Sequence, residues 1–379
     1  MKTSHQIIFN NSNKMKTIPS ESIALMVTSP PYPMIEMWDQ MFADQNPKIG
    51  KVLEKKQGGM AFELMHKVLD SVWDEVYRVL IKGGIACINI GDATRTINEN
   101  FSLYQNHTRI MGYLLTLGFN ALPAILWRKQ TNAPNKFMGS GMLPPGAYVT
   151  LEHEYILIVR KGKKREFKTS KDKKIRRESA FFWEERNVWF SDIWMDLKGA
   201  SQNLFDAKIR NRSAAFRFDV PYRLINMFSV KGDTVLDPFF GIGTTMYAAM
   251  AAGRNSVGVE LDQNFKDAIL SRMNTIVDYS NECIRSRLKN HINFVQERHK
   301  SKGGFKYLNK HYEFPVITRQ ETELLINRLE GIKETNNNNF QVIYSDEPQQ
   351  EFCGDGKRFL STKPGISGPE KTNSNILNK

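Results

Sequence analysis

The chain has 379 residues, 41% of them hydrophobic, enough for one large domain or two moderate ones with a real core. Its formal charge of +13 points to a polyanionic partner, although a generally basic proteome gives the same excess. A membrane span is not expected, because no apolar run reaches about 18 residues. Residues 1–13 are too polar for a signal peptide, and Cys87, Cys283 and Cys353 lack metal-ligand spacing. A reducing, cytoplasmic setting is expected.

Residues 22–28 read as a short buried strand that runs into Thr28-Ser29-Pro30-Pro31-Tyr32. Residues 62–80 carry apolar side chains at helical spacing, and Lys82-Gly83-Gly84 is expected to end that helix. A strand over 85–90, a helix over 108–117 and strands over 119–127 and 154–159 follow. A glycine/proline loop, 139–146, separates the last two strands. Residues 160–177 hold eleven Lys/Arg and two acids, a pattern shared by solvated loops and by loops that track phosphates. The aromatics behind them, Phe181, Phe182, Trp183, Trp189, Phe190 and Trp194, read mostly as a small core of their own. Residues 160–212 are taken as an inserted recognition region. The pattern resumes with a helix over 222–228, a strand over 234–236, a helix over 244–252 and a strand over 255–259. Such alternation predicts a mostly parallel sheet with helices on both faces. Beyond residue 285 the chain becomes polar, with an Asn tract at 336–339 and a tail over 362–379 expected to be disordered.

Two segments carry chemistry. Asp237-Pro238-Phe239-Phe240-Gly241-Ile242-Gly243-Thr244-Thr245 reads as a strand end, a glycine turn and a helix start, which exposes backbone N–H groups to a ligand. Glu260 ends the next strand, where a carboxylate can accept from ribose hydroxyls. The turn and the acid together suggest an adenosine-containing ligand. Asp237 suits the α-amino group of S-adenosylmethionine better than the pyrophosphate of NAD, the competing reading; an ordinary tight turn is the structural alternative.

The other segment is the Ser-Pro-Pro-Tyr loop. An exocyclic base amino group is a poor nucleophile, and acceptors for its hydrogens help it toward tetrahedral nitrogen. Ser29 Oγ and the Pro30 carbonyl are candidates, stiffened by Pro30 and Pro31. Tyr32 can stack on a base rotated out of the duplex. A surface turn or polyproline ligand is the bland alternative. No Pro-Cys pair occurs in the chain, which argues against methylation of cytosine carbon.

Over about residues 20–275 these segments resemble the amino-methylating DNA methyltransferases of bacterial restriction–modification systems. The Ser-Pro-Pro-Tyr loop matches the family's catalytic motif. The 237–245 segment matches its cofactor motif, and Val257-Gly258-Val259-Glu260-Leu261-Asp262 the next one. Residues 152–157 resemble the strand that precedes recognition regions, and 218–221 a remaining cofactor-side segment.

The resemblance implies a Rossmann-like S-adenosylmethionine-dependent methyltransferase fold with a mostly parallel seven-stranded sheet. It implies the permuted motif order called beta. Catalytic parts would fall at 1–159, the recognition insert at 160–212, the cofactor part at 213–284 and an extension at 285–379. Ser29, Pro30, Pro31 and Tyr32 would be catalytic. Asp237, Phe239, Gly241, Gly243, Thr244, Glu260 and Asp262 would bind cofactor. Arg160, Lys161, Lys163, Lys164, Arg165, Lys171, Lys173, Lys174, Arg176 and Arg177 would meet double-stranded DNA. Serine at position 29 points to N4 of cytosine; N6 of adenine, an RNA or protein target and a non-catalytic DNA-binding module are the alternatives. A cognate restriction endonuclease acting on the same site without a stable complex, and no metal, complete the expectation.

Overall fold

The computed structural model describes residues 1–129, 138–139, 141–197, 216–336, 338–354 and 356–359. The expected tail and residues 198–212 of the expected insert lie outside them. The main sheet has ten strands: β1 (Lys2–Phe9), β2 (Ile23–Thr28), β3 (Leu80–Ile90), β4 (Phe119–Arg128), β5 (His153–Lys161), β6 (Ile193–Trp194), β7 (Thr234–Asp237), β8 (Asn255–Glu260), β9 (Leu329–Asn336) and β10 (Asn339–Tyr344). Their spatial order is β6-β4-β5-β3-β2-β7-β8-β1-β10-β9. Neighbours from β3 through β2, β7 and β8 to β1 are all parallel, whereas β5 is antiparallel to both β3 and β4.

The alternating faces of the inner strands explain the two helical layers. Met26, Ala86, Ile88 and Leu236 face one way, onto Met65, Leu69, Val72 and Trp73 of helix α3 (Gly58–Val79). Leu25, Val27, Cys87 and Val235 face the other way, onto Leu224 and Ile225 of α7 (Asp219–Phe228) and Ala248 and Ala249 of α8 (Thr244–Ala251). Short helices α1 (Asp39–Gln45) and α2 (Lys48–Glu54) precede α3, and α4 (Asn106–Thr116) packs beside it. Because α3 joins β2 to β3 while α8 joins β7 to β8, the chain winds in opposite directions from the β2/β7 boundary. A ligand crevice opens at such a switch point, beyond the carboxyl ends of the strands.

Three expectations are corrected. The sheet gains β1, β6, β9 and β10 beyond the six strands read from the sequence. The buried positions of β1 include Thr3 and His5, which hides its alternation; His5 instead bonds Ser256 at 2.8 Å, and burial lowers it to about pKa 3. The Asn tract ends one strand and starts the next of the β9–β10 hairpin, with Asn338 at φ +61°, a conformation asparagine tolerates. Lys82-Gly83-Gly84 does not end α3, which stops at Val79; those residues lie inside β3.

The aromatics of the expected insert do not form a core of their own. Helix α5 (Ser170–Glu178) and α6 (Trp183–Trp189) pack toward the C-terminal segment, and β6 joins the main sheet beside β4. Phe182 is fully buried with Leu288 of α10 (Ile276–Lys302), Tyr312, Phe314 and Leu324. Arg287 of α10 pairs with Glu185 at 2.8 Å and lies 5.1 Å from the Trp189 ring. Helix α9 (Lys266–Met273) completes this layer. Among the described residues no helix is long and apolar enough to cross a membrane.

Candidate active site

The carboxyl ends of β2, β7 and β8 surround a cavity of about 540 Å³. Strand β2 delivers Ser29 and Pro30, β7 delivers Asp237, and β8 delivers Glu260 and Asp262. That volume lies within the usual range for a small-molecule pocket, about 300–1,000 Å³.

The glycine turn between β7 and α8 has a steric logic. Gly241 and Gly243 take φ of +53° and +84°, which side-chain-bearing residues rarely adopt. Phe240 folds back onto β8, and a Cβ on Gly258 would come within 2.0 Å of its ring. Gly258 therefore makes room for the aromatic wall. Phe239 lines the cavity and meets Trp73 edge-on at 5.8 Å.

Two carboxyls face this cavity from low-dielectric surroundings. Glu260 accepts from the Gly241 N–H at 2.6 Å and the Asp262 N–H at 2.9 Å. Burial nonetheless raises it to about pKa 7, against those two bonds. Asp237 accepts from Thr28 Oγ1 at 2.6 Å and from the Phe239 N–H at 3.1 Å, and burial raises it to about 6. A cationic ligand relieves both; a pyrophosphate would oppose both. The residues therefore fit an adenosyl group with a cationic methionine arm and disfavour NAD.

Six of the seven expected cofactor residues line the cavity: Asp237, Phe239, Gly241, Thr244, Glu260 and Asp262. Gly243 stands behind it, 3.0 Å from Phe240 when a Cβ is built. Ser29, Pro30 and Pro31 line it too. Tyr32 does not; its ring rests on Gly91, where a Cβ would come within 2.9 Å. Its hydroxyl lies 3.2 Å from Ser29 Oγ and donates to Glu154 Oε2 at 3.0 Å.

Sequence reasoning missed several neighbours. Asn11 and Ser12 reach the cavity from the end of β1, and Ser12 Oγ donates to the Pro238 carbonyl. Gln40, Met41 and Gln45 of α1 form another wall. Asn89, Glu154 and Lys129 gather around Tyr32, with Asn89 Nδ2 2.9 Å from Tyr32 Oη and Lys129 Nζ paired to Glu154. Polar residues in a polar N-terminus, and residues brought together only by strand pairing, leave no local signal.

The basic run sits elsewhere. Because β5 is antiparallel to β3, His153 and Glu154 lie at the carboxyl edge and Arg160 and Lys161 at the opposite one. Nine residues of β5 span roughly 26 Å. Lys161 is buried and donates to the Tyr77 and Leu80 carbonyls, both at 2.8 Å. Arg165 pairs with Asp233 at 2.7 Å, Lys174 with Glu178 at 3.7 Å and Arg177 with Glu323 at 2.6 Å. Lys163, Lys164, Lys171, Lys173 and Arg176 are exposed and Arg160 half-buried. None of the ten lines the cavity.

An open α/β sheet with a carboxylate-lined cavity at its switch point defines a nucleoside-cofactor enzyme, and a rigid acceptor loop beside that cavity defines a transferase acting on a second, polar substrate. The family model for DNA methylase of the N6/N4 type matches residues 23–271, and the chain belongs to that family. It is 53% identical over 353 residues to the Type II methyltransferase M.MthZI of Methanothermobacter thermautotrophicus, covering 93% of this chain and 98% of that protein. The Type II methyltransferase M.MjaI of Methanocaldococcus jannaschii is 53% identical over 278 residues, 70% of this chain and 90% of that one. Among solved structures, the DNA modification methylase TTHA0409 of Thermus thermophilus, complexed with S-adenosylmethionine, is 30% identical with a TM-score of 0.55, covering 71% of this chain and 92% of that chain. The chain is a DNA methyltransferase, and S-adenosylmethionine is its methyl donor.

Proposed function

We propose that this protein methylates N4 of cytosine at specific sites in duplex DNA, with its motifs in the beta order, and so protects DNA from a cognate restriction endonuclease. The observation that carries the reading is the neutral hydroxyl of Ser29 at the mouth of the cavity that Asp237 and Glu260 line. Position 29 is where the resemblance associates serine with cytosine.

When bound, S-adenosylmethionine supplies an electrophilic methyl group. Asp237 and Glu260 hold its cationic and ribose groups, and Phe239 packs beside them. Ser29 Oγ and the Pro30 carbonyl accept from the target amino group, which raises the nitrogen's nucleophilicity without a covalent intermediate. Tyr32 offers a ring to the extruded base.

The duplex lies across the carboxyl edge, near half-exposed Arg128 at the end of β4. The exposed cations of the basic run then stand beyond its reach. The test is methylation of plasmid DNA with labelled cofactor followed by nucleoside mass analysis. N4-methylcytosine supports the reading; N6-methyladenine alone overturns the base assignment.

A further inference from the structure

Transfer of a methyl group to a base amino group leaves a proton to be removed. The nitrogen lone pair forms the new N–C bond and the C–S pair stays on sulfur, so the donor's positive charge passes to nitrogen. The nitrogen becomes neutral again only by releasing a proton. Serine is a weak base and cannot keep it. Where a carboxylate holds the acceptor position the problem is smaller; here another group must serve.

The side chains around Ser29 are ordered in one direction. Tyr32 Oη donates to Glu154 Oε2 at 3.0 Å. That leaves Tyr32 Oη able only to accept from Ser29, 3.2 Å away, so the Ser29 hydroxyl donates to it. Asn89 enforces this sense. Its Nδ2 is a donor only, 2.9 Å from Tyr32 Oη, 2.6 Å from Glu154 Oε2 and 3.4 Å from Ser29 Oγ, so none of the three can donate to it. Asn89 is 2% exposed, and its Oδ1 has no hydrogen-bond partner, so no competing bond to that oxygen turns the amide away. Lys129 pairs with the other side of the Glu154 carboxylate. The free lone pair of Ser29 Oγ is thus left for the substrate.

We propose that Glu154 is the terminal proton acceptor of methyl transfer, reached from the base amino group through Ser29 Oγ and Tyr32 Oη. The amino proton passes to Ser29 Oγ, the Ser29 proton to Tyr32 Oη, and the Tyr32 proton to Glu154 Oε2. Ser29 and Tyr32 end neutral, and Glu154 changes from carboxylate to carboxylic acid. Burial and the neighbouring Glu154 charge hold the Tyr32 phenol well above its usual range, so it relays as a phenol and is not itself the proton's destination. Asn89 and Lys129 act as positioning residues.

The proposal rests on the amino-methylation reading but is indifferent to which base is methylated. Its test is single-turnover transfer to duplex DNA by Glu154→Gln, Tyr32→Phe and the double variant, with cofactor and DNA dissociation constants measured alongside. Each single variant should lose roughly a hundredfold in rate, with both dissociation constants within about threefold of wild type. The double variant should be no slower than either single one, because one broken link disables the whole path. Glu154→Asp, which keeps a carboxylate, should recover part of the rate. Wild-type rate in Glu154→Gln, or losses that multiply in the double variant, would overturn the relay. Absence of transfer to any base amino group by the wild type would instead overturn the reading beneath it.

Discussion

Cofactor affinity should fall as the solution is acidified, and the structure sets the window. In the empty cavity Asp237 stands at about pKa 6 and Glu260 at about 7, both raised by burial. A cationic ligand favours their ionised forms, so protons compete with it. At about pH 7.5 roughly three-quarters of sites carry both charges; at about pH 6 only about one in twenty does. If the doubly ionised site is the binding form, the dissociation constant rises about fifteenfold between those values, about 1.6 kcal/mol. The linkage sign for folding runs the other way. Both folded-state values lie above those of the unfolded chain, so these groups lower the stability of the empty protein as pH rises from about 4 to about 7. Cofactor binding offsets that loss. Isothermal titration across this range, in buffers of different ionisation heat, gives both affinity and proton release. Glu260→Gln should flatten the curve between about pH 6.5 and 7.5, leaving the Asp237 limb. A pH-independent dissociation constant with no proton release would refute the argument that these carboxyls face the cation.

Other outcomes follow from single contacts. Gly258→Ala should displace Phe240, whose ring a Cβ would approach to 2.0 Å, costing about 1–3 kcal/mol of stability in thermal melts and weakening cofactor binding. Arg287→Ala should cost about 3–5 kcal/mol in denaturant unfolding, because Glu185 would be left charged and largely buried. Neutralising Lys171, Lys173 and Arg176 together should leave the slope of log DNA affinity against log salt unchanged within about one unit; a drop of about three would put the duplex on that face.

The inner sheet was legible because strands buried on both faces read as continuous apolar runs. The cofactor turn was legible because its residues adjoin in sequence and its glycines answer a backbone demand. Strand β1 was not, since Thr3 and His5 fill buried positions with polar side chains that bond across strands. Glu154 was quoted as part of a strand without a role. It reaches Tyr32 only because β5 pairs antiparallel with β3, an orientation that apolar periodicity does not encode. The same orientation carries the basic run away from Ser29, so its charge was readable and its location was not.

Single-turnover methylation of duplex DNA by wild type and Ser29→Ala, with cofactor and DNA binding measured in parallel, tests the central claim most directly. The account predicts that Ser29→Ala loses about two or more orders of magnitude in rate while both affinities stay within about threefold, since the hydroxyl acts in the transition state. Wild-type rate in the variant, or a loss explained wholly by weaker binding, would contradict it.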